Sequence, residues 1–142
     1  MKPVKNSAAF VIYGSNRFNI LVVRRPYSDE NFPGLLGLPA GTLKDGESHL
    51  ECVLRSGREK LGVELEVVNK IGEGELERET HLLHLINFEA RIIGGIPTVH
   101  QNVKNITQYI DLIWSSPSIL MESARKGSLC SRIYLDTLNI KW

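Results

Sequence analysis

One segment of the chain has the pattern of an amphipathic helix, and β-type sequence flanks it on both sides. From Glu47 to Leu61, apolar side chains recur with a period of about 3.6 residues while charged side chains occupy the opposite face. Gly62 follows directly and favours the end of a helix there. A helix with one apolar face must cover that face with another element, and the neighbouring sequence offers strands. The pattern therefore predicts a mixed α+β domain.

The remaining periodicities predict the order of the elements. Strands are predicted in five segments: 8–13, 18–24, 63–71, 80–93 and 107–114. The first two flank the turn-rich Gly14-Ser15-Asn16-Arg17 and predict a hairpin, and residues 27–37 have the chemistry of a long loop. Two more helices are predicted: one after a serine N-cap and Pro117 to about Arg125, and one from about Leu129 to Leu138. We expect one domain over residues 1–142.

The charge balance excludes whole classes of partner. The 142 residues include 17 Lys and Arg against 16 Asp and Glu, which gives a formal net charge of +1. A protein that binds nucleic acid polymers or anionic membranes through its overall field carries a large positive excess. We therefore expect a small-molecule partner, recognised by local features.

Two cysteines bear on the location. Cys52 and Cys130 lie far apart and lack the neighbouring Cys or His of a metal-finger spacing, which indicates reduced thiols and predicts a cytoplasmic protein. The apolar run 8–13 is interrupted by Gly14 before it reaches signal-peptide length. The sequence contains no apolar run long enough to predict a membrane span.

A motif covers residues 41–63. It resembles the Nudix box, which reads Gly, five residues, Glu, seven residues, Arg-Glu, an apolar residue, any residue, Glu-Glu, any residue, Gly and an apolar residue. Five of the seven fixed letters and the closing apolar position match: Gly41, Glu47, Arg55, Glu59, Gly62 and Val63. The flanking Leu38-Pro39-Ala40 and Trp114-Ser115-Ser116-Pro117 also resemble the family. The resemblance implies a Nudix-type fold, a mixed β-sheet sandwiched between helices.

The resemblance also implies an activity and its residues. Nudix enzymes hydrolyse a nucleoside diphosphate linked to another group, using Mg²⁺ or Mn²⁺ held by oxygen ligands. By position, Glu59 would be the catalytic residue and a metal ligand, and Gly41 would donate a backbone carbonyl to the metal. Glu47 and Arg55 would pair to brace the loop against the helix, the alternative being an incidental surface pair.

The box departs from the family pattern at the residues that matter most for metal binding. Ser56 and Lys60 stand at two of the three positions that hold carboxylates in the family, and Gly57 fills an apolar position. Four acidic and four basic side chains balance between Gly41 and Val63, where a Nudix hydrolase gathers acidic residues. We therefore expect weakened hydrolysis. A second hypothesis is a catalytically lapsed Nudix domain that binds a nucleotide-like ligand or a protein partner.

Basic residues near the box are candidates for substrate binding. Arg24 or Arg25, at a strand end, could hold a phosphate, or could instead solvate the edge of the sheet. Lys60 could contact the anionic substrate directly, or could face solvent at the end of the helix.

Acidic residues outside the box could compensate for the missing carboxylates. The richest source is a cluster formed by Glu73, Glu75, Glu77 and Glu79. The cluster could supply a metal ligand, although a solvated hairpin tip is the favoured interpretation. No acid occurs from Pro97 to Ile110, a segment that offers only His100, Gln101 and Lys104. His84 is predicted to be a hydrogen-bonded core histidine, and Cys52 to be inert packing.

Overall fold

The computed structural model describes residues 1–99 and 108–142, and the predictions made for His100, Gln101, Lys104 and the start of the 107–114 strand lie outside them. The strands are β1 (Val4–Ile12), β2 (Ile20–Arg24), β3 (Leu36–Gly37), β4 (Ala40–Thr42), β5 (Glu64–Glu77), β6 (Leu82–Gly94) and β7 (Asp111–Ser115). The α-helices are α1 (His49–Ser56), α2 (Met121–Arg125) and α3 (Leu129–Thr137).

The strands form two sheets. One has the order β4-β1-β6-β5, in which β1 and β6 run parallel and the other pairs are antiparallel. The second has the order β3-β2-β7 and is antiparallel throughout. Together with the helices, these sheets confirm the predicted mixed α+β class.

The predicted hairpin of the first two strands is wrong. A single bridge between Tyr13 and Ile20 connects them, and each strand belongs to a different sheet. The reason is that neither strand has a free edge. The edges of β1 are paired with β4 and β6, and those of β2 with β3 and β7. The turn chemistry at Gly14 therefore links the strands without pairing them.

The four-stranded sheet lies between two apolar cores. Because successive side chains of a strand point to opposite faces, Ala8 and Phe10 of β1 pack with Val53 of α1, whereas Ala9 and Val11 pack on the side of α2 and α3. On that second side, α3 packs closely against β5. A Cβ atom at Gly72 would lie 2.7 Å from the Ile133 side chain, so the absence of a side chain allows this approach. Helices thus cover both faces of the sheet, as the resemblance predicted.

The box helix is shorter than the predicted Glu47–Leu61 segment. Helix α1 starts after Ser48, whose hydroxyl accepts from the Glu51 amide at 3.1 Å while the Glu51 carboxylate accepts from the Ser48 amide at 2.9 Å. This capping box excludes Glu47 from the helix. The segment continues through a π-helical turn over Gly57–Leu61 and ends at Gly62, which has a φ of 69°. The predicted stop at Gly62 is therefore confirmed.

The C-terminal helices follow the predicted order with one change at the start. A 3₁₀ turn over Pro117–Leu120 precedes α2, and Ser116 makes no side-chain capping hydrogen bond. The predicted serine cap is absent. The Ser116 hydroxyl is hydrogen-bonded to the Ser118 hydroxyl at 3.1 Å instead. No helix within residues 1–99 and 108–142 is both long and apolar enough to cross a membrane.

Candidate active site

Arg55 ties the start of the box to its helix. Its Nε and Nη2 atoms donate to the two oxygens of Glu47 at 2.7 and 2.9 Å, and Nη2 also donates to the Thr42 carbonyl at 2.9 Å. Arg55 holds the pKa of Glu47 down at about 2, although partial burial of the carboxylate opposes this shift. The structure thus brings together the two residues for which a bracing role was predicted.

Glu59 lies one helical turn after Arg55. Its Oε1 atom accepts a hydrogen bond from Arg55 Nη1 at 3.1 Å, and its side chain is 21% exposed. The carboxylate therefore stays close to the surface, and one of its oxygens is already engaged by a guanidinium.

Ser56 fills the space beside Gly41. The serine is fully buried, and a Cβ atom built on Gly41 would overlap the Ser56 hydroxyl and lie 3.2 Å from Cys52 Sγ. Burial also raises the pKa of the Cys52 thiol. Gly41 is thus required for the close packing of β4 against α1, and the Ser56 position serves that packing.

Lys60 is buried although it carries a charge. Its side chain crosses to β4, where Nζ donates to the Ala40 carbonyl at 2.6 Å, and only 9% of the residue is exposed. Nζ also lies 5.4 Å from the centre of the Tyr109 ring, and the Tyr109 hydroxyl donates to the same Ala40 carbonyl at 3.2 Å. The predicted alternative of a solvent-facing lysine is wrong, because the backbone oxygen of β4 holds the ammonium.

A cavity of about 510 Å³ opens beside this lysine. Its lining includes Gly41 and the basic side chains of Lys5, Arg25, Lys60 and Arg78, against two acidic ones, Glu30 and Glu79. The volume lies within the usual range for small-molecule sites. The cavity is therefore locally cationic in a chain whose net charge is only +1.

The Phe32 ring lies between two of the cavity's arginines. The guanidinium carbons of Arg25 and Arg78 are 5.9 and 5.8 Å from its centroid. Asp29 accepts from Arg25 Nη2 at 2.8 Å, and its pKa lies below the usual range because hydrogen bonds from the Phe32 amide and Arg25 outweigh burial. Burial lowers the pKa of Arg78, which donates to the Gly127 carbonyl at 3.1 Å. Both guanidinium groups are thus held in place.

Comparison with known proteins decides the family. The family model described as NUDIX domain matches residues 3–107. The chain belongs to the Nudix family. No curated protein sequence matches it.

Solved structures agree with the Nudix fold. A NUDIX hydrolase from Nitrosomonas europaea superposes with a TM-score of 0.73 at 17% identity, covering 97% of this chain and 89% of that one. A MutT protein from Methanosarcina mazei gives a TM-score of 0.68 at 21% identity, with 97% and 92% covered. A C. elegans Ap4A hydrolase gives 0.68 at 14% identity, with 95% and 98% covered. At these identities the likeness establishes the fold alone.

The residues of this Nudix box do not fit a divalent cation. Mg²⁺ and Mn²⁺ need several oxygen ligands, preferably carboxylates. Glu59 is paired with Arg55, the Ser56 hydroxyl is buried against Gly41, and the Lys60 ammonium is hydrogen-bonded to the carbonyl of Ala40, the residue before the Gly41 whose carbonyl was expected to bind the metal. In the part of the chain that the structure describes, no three His, Cys, Asp or Glu side chains group to hold a metal ion.

The other predicted site residues are dispersed. Arg25 lines the cavity, whereas Arg24 donates to the Gly34 carbonyl at 2.8 Å. Three members of the acidic cluster lie on the exposed side of β5, where Glu73 pairs with Lys70 and His84, whereas Glu79, in the following turn, lines the cavity. His84 is half-buried, and its other ring nitrogen lies 2.8 Å from Asn6 Oδ1. Both of its ring nitrogens thus have hydrogen-bond partners, and it lies at the margin of the core.

Sequence reasoning missed three residues that build the site: Lys5, Arg78 and Tyr109. Lys5 precedes the apolar run that marked the first strand, but it has the same strand parity as Ala9 and Val11. That parity was a usable signal. Arg78 lies within the acidic cluster, between Glu77 and Glu79, in a stretch interpreted as a solvated tip. Tyr109 had no local signal, because its contact with Ala40 joins residues 69 positions apart.

Proposed function

We propose that this Nudix domain hydrolyses the pyrophosphate bond of a nucleoside diphosphate linked to another group, and that it does so slowly. The cationic cavity beside the box carries the proposal. Four basic side chains and two acidic ones line a space of about 510 Å³ next to Gly41, and one of the basic side chains, Arg25, is ion-paired with Asp29. A diphosphate brings two or more negative charges, and arginine binds phosphate oxygens through paired hydrogen bonds. The family and the cavity thus support the same class of ligand.

Hydrolysis requires the residues of the chain to meet two chemical demands. Water must attack one phosphorus atom in line while the bond to the bridging oxygen breaks, and charge on the other oxygens must be neutralised. Arg25, Arg78 and Lys60 would supply positive charge, and Glu59 would accept the proton of the water. Glu59 lies outside the described lining of the cavity and is held by Arg55, so we expect turnover below about 1 per second.

One observation favours a second candidate function, ligand binding without hydrolysis. The Lys60 ammonium donates to the Ala40 carbonyl at 2.6 Å, directly before Gly41, whose carbonyl the family resemblance assigns to the metal. Contacts that stabilise the ground state and the transition state equally do not accelerate the chemical step. On this alternative, the cavity holds the same class of ligand and releases it unchanged.

Chromatographic analysis of products from ADP-ribose, ADP-glucose and diadenosine tetraphosphate, each incubated with Mn²⁺ or with EDTA, tests the proposal. We expect slow formation of nucleoside monophosphate that Glu59→Gln abolishes. Glu122→Gln is the matched control, because Glu122 lies at the surface and pairs only weakly with Lys126 at 3.6 Å. Calorimetric binding without product would select the second function. Absence of both binding and product would overturn both.

Three further properties belong to the same proposal. The chain acts as one domain on a small-molecule nucleotide derivative, and it works in the cytoplasm. Support for the location comes from Cys52 and Cys130, which are both free thiols.

A further inference from the structure

The Ala40 carbonyl has no free lone pair. A backbone carbonyl oxygen has two, and here Lys60 Nζ donates to it at 2.6 Å and the Tyr109 hydroxyl at 3.2 Å. A metal ion bound to this oxygen would have to displace one of these donors. If it displaced the tyrosine, it would lie in direct contact with an ammonium of the same sign of charge.

The Lys60 ammonium lacks a counter-ion within the protein. Among the described residues, no carboxylate forms an ion pair with it, although the residue is only 9% exposed. A buried charge is costly unless an opposite charge or several hydrogen bonds compensate for it. An ammonium has three N–H donors, of which the Ala40 carbonyl takes one, and Lys60 lines the cavity. The remaining donors can therefore reach an anion bound there.

We propose that the Lys60 ammonium is a resident cation that replaces the divalent metal ion of the Nudix box. It occupies the backbone oxygen of β4 and binds a phosphate group of the ligand in the cavity, so that the domain binds its ligand without a divalent cation. The exclusion of metal stands on the contacts of Lys60 alone. The contact with phosphate rests on the function proposed above.

The first half of the proposal, that Lys60 excludes the metal, is tested without any ligand. Mn²⁺ is titrated into the protein, and the signal of free Mn²⁺ is followed by electron paramagnetic resonance. We expect the wild-type protein to bind no Mn²⁺ at the box below millimolar concentration. Lys60→Glu places a second carboxylate beside Glu59 and frees the Ala40 oxygen, and we expect it to bind Mn²⁺ at least about tenfold more tightly. The matched control is Lys44→Glu, which makes the same charge change on the exposed loop of the box.

The second half of the proposal, that Lys60 binds a phosphate group of the ligand, is tested with ADP as the probe. ADP binding is measured by isothermal titration calorimetry in EDTA and in Mn²⁺. We expect wild-type affinity to be equal in the two solutions and Lys60→Met to weaken it at least about tenfold in both. Lys60→Met keeps the apolar stem of the side chain. If Lys60→Glu does not fold, Lys60→Met is the variant that tests the proposal.

The outcomes separate the two halves. Tight binding of Mn²⁺ by the wild-type protein, or equal Mn²⁺ binding by Lys60→Glu and Lys44→Glu, overturns the exclusion of metal whatever the ligand does. ADP binding that needs Mn²⁺, or that Lys60→Met leaves unchanged, overturns the phosphate contact. Failure of the wild-type protein to bind ADP at all counts against the phosphate contact and the proposed ligand, while the Mn²⁺ titration still decides the first half.

Discussion

Arg55 shows how one side chain can organise a loop that has little regular structure. Its guanidinium joins Glu47, Glu59 and the Thr42 carbonyl, so it links β4, the loop before α1 and the π-helical turn. The Arg55 and Glu47 side chains are only 14% and 12% exposed, which limits screening by solvent. This pair therefore matters more to stability than the exposed ion pairs elsewhere on the surface.

The Glu47–Arg55 pair predicts a pH-dependent contribution to stability. The pKa of Glu47 falls from an ordinary 4.5 to about 2, so the contribution is complete above about pH 4.5 and is lost as the pH falls toward 2. We expect Glu47→Gln to lower the free energy of unfolding by about 2 kcal/mol at pH 7. The difference from wild type should shrink to near zero at about pH 2, measured by urea denaturation at several pH values.

Two features make this test specific. Glu73 also has a pKa of about 2, but it is present in both proteins and cancels in the difference. Glu122→Gln, at an exposed pair, should change stability by less than about 0.5 kcal/mol at any pH. A destabilisation by Glu47→Gln that persisted unchanged at low pH would show that packing, and not charge, accounts for it.

The box helix changes its winding where it meets β5. Helix α1 gives way to a π-helical turn at Gly57, and a Cβ atom there would lie 2.5 Å from Leu65 Cδ1 and 2.8 Å from its Cγ. Leu65 is 5% exposed and belongs to the core beneath the helix. The glycine that appears as a defect of the box pattern is therefore needed for the helix to approach the strand.

Gly57→Ala separates helix propensity from packing. Propensity alone predicts a gain of about 1 kcal/mol. We expect a loss of about 1–2 kcal/mol instead, because the added methyl group overlaps Leu65 in a packed core. In a Leu65→Ala background the same change should be neutral or stabilising, which a double-mutant cycle by chemical denaturation measures.

Gly37→Ala is the matched control, since a Cβ atom at Gly37 has no neighbour within 4 Å. If Gly57→Ala stabilised the wild-type protein, the close approach of Leu65 would not be the reason for the glycine.

The whole molecule concentrates positive charge in one place while remaining nearly neutral. Its net charge is +1, yet the lining of the cavity includes four basic side chains and two acidic ones. Folding produces this distribution, because the four basic residues come from separate segments of the chain: Lys5, Arg25, Lys60 and Arg78. Ligand binding should therefore depend on salt more strongly than folding does.

We expect ADP affinity to fall at least about tenfold between roughly 0.02 and 0.5 M NaCl, as the Debye length shortens from about 20 to about 4 Å. Adenosine is the matched uncharged probe and should bind equally at both salt concentrations. Calorimetry measures both ligands, and the melting temperature should change little. Equal salt dependence for ADP and adenosine would show that the cavity does not recognise the phosphates.

Local sequence determined the fold class and the box. The helical period from Glu47 to Leu61, the stop at Gly62 and the spacing of Glu47, Arg55 and Glu59 depend on neighbours in the chain, and the structure brings those three side chains together. Tertiary structure alone decided strand pairing and the surroundings of Lys60. A strand has two edges, and turn residues do not specify which partners occupy them. The Lys60 ammonium lies against an oxygen 20 residues earlier in the chain, and Tyr109 meets that oxygen from 69 residues away. Packing between distant segments sets those contacts, and no local pattern carries that information.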